Sequence, residues 1–155
     1  MLAMKKIDIK AGNMTYYQRI ELGKILSNKE LSDVDRFNAV FECLHNKKPN
    51  PLEYTSLLGY YKEIFEGIVF WSKLEEENLH YEPTPEEIRA GIKEYQKMVG
   101  DLSSVHSLAR NFSKDPDEIL KWKYSKVFGI FIDDLEKYKY QQRYQKIITS
   151  KLPKS

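Results

Sequence analysis

Apolar positions recur at helical spacing through most of the chain. Near the N-terminus Ile7, Asp8 and Ile9 alternate ahead of Ala11-Gly12-Asn13, which predicts a short strand or extended arm leading into a turn. Thr15 then offers a cap for a first helix with apolar positions Tyr16, Ile20, Leu22 and Ile25, closed by Ser27-Asn28. Ser32 starts a second helix, in which Phe37, Val40, Phe41 and Leu44 share one face. Pro49 and Pro51 end that segment, because proline lacks an amide donor and pushes its predecessor out of helical dihedrals.

The third helix carries the longest uninterrupted stripe: Leu57, Tyr61, Ile64, Ile68, Trp71 and Leu74. Thr84-Pro85-Glu86-Glu87 is a capping-box start for a fourth helix with a buried face of Ile88, Ile92, Tyr95 and Val99, ended by Gly100. Leu102, Val105, Leu108, Ala109 and Phe112 give a short fifth. Asp115-Pro116-Asp117-Glu118 opens a sixth, continuous through Leu120, Tyr124, Val127, Phe131, Leu135 and Tyr138, with Gly129 as a candidate kink. The pattern predicts an all-α fold over residues 1–150: a single domain of about six helices, with a short N-terminal strand or extended arm ahead of them. Residues 151–155 are expected to fray.

The 155-residue length supports one core. A compact chain of this mass exposes about 8,200 Å² and buries roughly 70% of its unfolded surface. With 41% hydrophobic and 31% charged residues the chain reads as globular, not disordered. No apolar run approaches a membrane span, and Lys5, Lys6, Asp8 and Lys10 occupy the place of a signal-peptide core. Together with a single cysteine, Cys43, this gives a cytoplasmic expectation. The net charge of +2 is uneven: residues 121–155 hold nine Lys or Arg against three acids, while Leu74 to Ile88 carries six glutamates and no Lys or Arg.

Two Glu-x-x-His pairs, Glu42 with His45 and Glu77 with His80, are the unit that di-iron bundles use. On a helical wheel Glu42, Glu77 and His80 lie about 150° from the apolar stripes, so both pairs are expected to face outward and no metal site is assigned. Cys43 lies beside Phe41 and Leu44 with no base at hand, which fits a small packing residue better than a thiolate. The seven glycines are too scattered for a phosphate loop. No catalytic residue, cofactor or metal is therefore expected. Ser104 to Phe112 followed by a helix from Pro116 resembles a helix-turn-helix, but Asp115, Asp117 and Glu118 would open its reading helix and face phosphates. A helical nucleic-acid-binding regulator is accordingly the alternative expectation.

Leu108-Ala109 to Phe112, Asp115-Pro116-Asp117-Glu118-Ile119-Leu120, and Val127-Phe128 to Leu135-Glu136 and Arg143 together resemble the C-terminal part of small tail-assembly chaperones of long-tailed bacteriophages and prophages. The likeness covers about the last third of the chain. Tyr17 to Leu26 has the character of prophage proteins of this size. The resemblance implies a helical, non-enzymatic protein of the host cytoplasm that binds the tape-measure protein and tail-tube subunits, often as an oligomer. Aromatic pairs such as Tyr16-Tyr17, Tyr60-Tyr61 and Phe70-Trp71 exceed what one stripe per helix can hide. Trp122, with Lys121 and Lys123 on either side and turned about 200° from Tyr124 on the sixth helix, is expected to join Tyr140 and Tyr144 in an apolar patch with a basic rim that takes the partner.

Overall fold

The computed structural model describes residues 4–151. The protein is all-α, 76% helical, with no strand among the described residues. The helices are α1 (Tyr16–Ser27), α2 (Asp33–His45), α3 (Tyr54–Asn78), α4 (Pro85–Arg89), α5 (Ile92–Phe112), α6 (Pro116–Leu120) and α7 (Tyr124–Lys151), with a short 3₁₀ turn (Pro51–Glu53) leading into α3. No described helix is long and apolar enough to cross a membrane. Lys151, assigned to the frayed tail from the sequence, is the last residue of α7; the rest of that tail lies outside the described residues.

Local chemistry sets the helix starts. Thr15 and Thr84 each form a complete capping box, with Gln18 and Glu87 respectively, and Ser32 and Asp115 cap α2 and α6 through their side chains. The α2 face packs as its spacing predicts, with Phe37 against Tyr54 and Tyr61 of α3 and Phe41 against Tyr60. One contiguous cluster of buried residues runs from Ile9 to Phe128.

The N-terminal arm is extended and pairs only through a single antiparallel bridge, Thr15 with Lys123. It crosses α3 over Gly67, where an added Cβ would sit 2.7 Å from Ile9 Cβ. Trp71 Nε1–H donates to the Ile9 carbonyl at 2.7 Å, and Tyr60 accepts from the Ile7 amide at 2.7 Å. At Gly12 the backbone has φ +68, and a Cβ would meet Ser125 and the Trp71 ring within 2.8 Å. The arm then caps the start of α7: the Tyr124 and Ser125 amides donate to Met14 O and Gly12 O. Those donors open a helix and have no partner inside it, so arm carbonyls do what a capping side chain does elsewhere.

Three helix boundaries differ from the sequence expectation. The fourth helix stops after Arg89 because Gly91 is left-handed, φ +85, and a new helix starts at Ile92. Gly100 then kinks α5 instead of ending it. The face expected to be buried there is not: Ile88 and Tyr95 are exposed, and Ile92 and Val99 are half-buried. The sixth helix is likewise cut at Lys121–Lys123, because Trp122 O accepts from the Tyr16 amide and Lys123 is bridged to the arm. Leu102 and Phe112 are exposed, whereas Tyr60, Ile119 and Phe128, outside the expected stripes, are buried. The accessible surface of 11,322 Å² exceeds the compact expectation of about 8,200 Å².

Truncating Trp71 to alanine removes both the ring under the arm and its hydrogen bond, and should cost about 3–5 kcal/mol in chemical denaturation. Gly67→Ala should cost about 1–3 kcal/mol despite the better helix propensity of alanine, because the arm must lift. Wild-type stability in Gly67→Ala would show that the arm does not rest on α3.

Candidate functional site

The most buried ion pair among the described residues lies where α1, α3 and α7 meet. Arg19 holds Glu75 with two parallel bonds, Nε to Oε1 at 2.8 Å and Nη2 to Oε2 at 2.6 Å, and a third bond joins Nη2 to Ser72. The Tyr124 hydroxyl donates to Glu75 Oε1 at 2.6 Å, and the guanidinium lies 5.7 Å from the Tyr124 ring centre. This fork geometry is the strong form of an ion pair, and here it ties three helices. The cluster borders an open cleft of about 430 Å³ that also takes in Tyr16, Asp101 and Ser104. Its phenols are held protonated. Burial first, then the negative charge of Asp101, pushes Tyr16 up from 10.0 to about 12, against a smaller opposing bond from Ser104. Burial, then the bond to Glu75, raises Tyr124. With Arg19 and Glu75 each holding the other and Tyr124 joined to Glu75, the cluster locks three helices together.

Cys43 is half-buried, and burial followed by the charge of Glu21 pushes its thiol up to about 11, so it stays protonated. The Glu-x-x-His pairs diverge from their expected placement in one respect. Glu42 is exposed near Lys48, Glu77 near Lys73, and His80 near Glu82, but His45 turns inward. It stacks on Phe41, and its Nε2 lies 3.3 Å from the Tyr60 hydroxyl. Burial, with Lys47 nearby, lowers its pKa. Its place at the helix end, where the chain turns down onto α3, brings it in. Among the described residues no three His, Cys, Asp or Glu side chains converge as a metal would require.

The three residues expected to form a partner patch are not brought together. Trp122 is half-buried, edge-on to Phe112, with Lys126 Nζ 3.5 Å above its ring. The angular argument that turned it outward assumed a helix through residue 122, and the chain is not helical there. Tyr140 and Tyr144 lie further along α7, the nearer about 24 Å from Tyr124 at the helical rise. They stack on each other, ring centres 6.2 Å apart, at 60% and 50% exposure.

What they join instead is a stripe with Ile147 and Ile148, both exposed, at spacings of 4, 3 and 1. Along α7 the packed positions Tyr124, Val127, Phe128, Phe131, Leu135 and Tyr138 share one side, with Ile130 and Ile132 packed on its flanks. At 100° per residue the Tyr140–Ile148 stripe lies about 180° from them. The apolar face of α7 thus changes sides between Tyr138 and Tyr140. At the change, Tyr138 donates to Glu87 at 3.1 Å, meets the Tyr81 ring edge-on, and accepts from Gln142. Every residue from Tyr140 to Lys151 is exposed. This tip, with Lys137 and Lys139 at its base, carries five Lys or Arg and no acid over residues 137–151. The spacing of Ile147 and Ile148 after the tyrosines was the signal in the sequence for this exposed stripe. No family model, curated protein sequence or solved structure gives a significant match to this chain.

Glu75→Gln leaves Arg19 partly buried without its counter-charge. Solvent reaches both side chains, at 13% and 25% exposure, so the cost should be about 1–3 kcal/mol by denaturant titration, below that of a fully buried pair. The folded chain binds the Tyr16 proton more tightly than the unfolded chain does, so this contribution is intact below pH 10 and is lost as pH rises toward about 12. Tyr16→Phe should flatten that alkaline loss in unfolding midpoints measured across the range. An unchanged slope would remove Tyr16 from the account.

Proposed function

We propose that this chain is a non-enzymatic helical assembly protein that docks a helical protein partner on the exposed tip of α7, in the manner of the phage tail-assembly chaperones it resembles. The carrying observation is the stripe of Tyr140, Tyr144, Ile147 and Ile148, which continues a core helix beyond the body and turns its apolar face outward. Amphipathic helices dock through anchors at this spacing, and the flanking cations select an acidic partner and keep the free tip soluble. Tape-measure protein and tail-tube subunits are the partners that the resemblance brings forward.

The nucleic-acid alternative draws support from the same tip, since stacked tyrosines among cations suit single strands. Its helix-turn-helix form is disfavoured: α6 has five residues, too few to lie along a groove, and opens with Asp117 and Glu118. The aliphatic end of the stripe, Ile147 and Ile148, favours protein over nucleic acid.

Co-expression with a fragment of a long helical tail protein from the same genome should retain that fragment through washes at about 1 M salt, where phosphate-type contacts are lost. Tyr144→Ala with Ile147→Asp should lower retention at least tenfold with an unchanged melting curve. Binding to DNA that falls steeply between about 50 and about 200 mM salt, with no retained protein, would replace this reading with the alternative.

A further inference from the structure

A second apolar surface lies on the body. α1, α5 and α6 enclose a groove of about 380 Å³, with Tyr17, Leu102, Val105 and Leu120 along it. Leu102 is 66% exposed and Tyr17 51%. Glu21, Asp101 and Asp117 stand at the groove with His106 and one lysine, Lys24, which is already held by Glu21 at 2.8 Å. The body therefore presents an apolar slot with an acidic rim, and the tip presents an apolar stripe with a wholly basic flank.

These surfaces cannot meet within one chain, because the stripe lies on the side of α7 opposite the one that packs on the body. Two tips are also poor partners for each other, since five cations face five. We infer that the tip of α7 docks in the α1–α5–α6 groove of a second copy of this chain, each copy lending its tip to the other. The inference rests on the tip being a docking element and names what covers it when no client is bound. The arrangement is isologous and closes as a dimer. Two tips in two grooves remove on the order of 1,500 Å² from water, within the range of a specific interface. The excess of exposed surface over a compact monomer leaves room for it.

Sedimentation equilibrium on the full chain tests this. A dimer is expected at micromolar concentration, and Ile147→Asp on the tip and Leu102→Asp in the groove should each weaken it at least about 100-fold while leaving the melting curve in place. Both positions are more than half exposed, so neither change should prevent folding. Charge reversal gives the sharper comparison. Arg143→Glu with Lys146→Glu and Lys151→Glu should make the chain monomeric, as should Asp101→Lys with Asp117→Lys, and mixing the two reversed chains should restore a one-to-one dimer, because each tip then meets a groove of opposite sign. A wild-type chain still monomeric at about 100 μM overturns the inference. So does a dimer that survives both Ile147→Asp and Leu102→Asp. If the chain is monomeric but the tip still retains a helical client, the docking function stands and the self-docking falls. If it is monomeric and the tip binds only DNA, both fall.

Discussion

The fold depends on a clasp made by the N-terminal arm. Trp71 is its centre: the indole N–H holds the Ile9 carbonyl, while the ring stands edge-on to Tyr124 and Phe128 of α7 at 5.1 and 5.2 Å. A buried carbonyl and a buried N–H would each be costly alone, and pairing them fixes the arm at one register on α3. From there the arm reaches α7 and supplies the carbonyls that its first amides need. The side chain that packs the core thus also sets where α7 starts. Two glycines, Gly67 under the arm and Gly12 within it, are conditions of the clasp, because each stands where a Cβ would collide.

The Arg19–Glu75–Tyr124 cluster works beside this clasp on the other face of the same junction. It adds direction to a region where apolar packing alone is permissive. A bidentate pair admits one relative orientation of α1 and α3, and the Tyr124 bond fixes the rotation of α7 about its axis. That rotation decides which way every later residue of α7 faces, including those far outside the body.

Much of this was legible in the sequence, for identifiable reasons. Helix starts at Thr15, Ser32, Thr84 and Asp115 were readable because caps are local chemistry. The α2 face was readable because a short helix packed on one side shows clean periodicity. The break at Lys121–Lys123 was not, since no glycine or proline marks it and its cause is a bond from Tyr16, more than a hundred residues away. Arg19 and Glu75 were hidden for the same reason of distance. Tyr140 and Tyr144 were singled out correctly as exposed, but Trp122 was grouped with them by an angle that holds only inside an unbroken helix. Gly91 was present as a signal, and its left-handed turn shortens α4 and leaves the face around Tyr95 open.

The reversal of the apolar face within α7 makes the helix a phase-setting element. Its first half is keyed to the body and its second half is rigidly in register with the first, so the bearing of the outer stripe is encoded by the number of residues between Tyr138 and Tyr140. Adding or removing one residue there would swing the outer stripe by about 100° while leaving every side chain in it unchanged. The chain therefore stores the heading of its outer apolar stripe as a count of residues, separately from the side chains that compose the stripe.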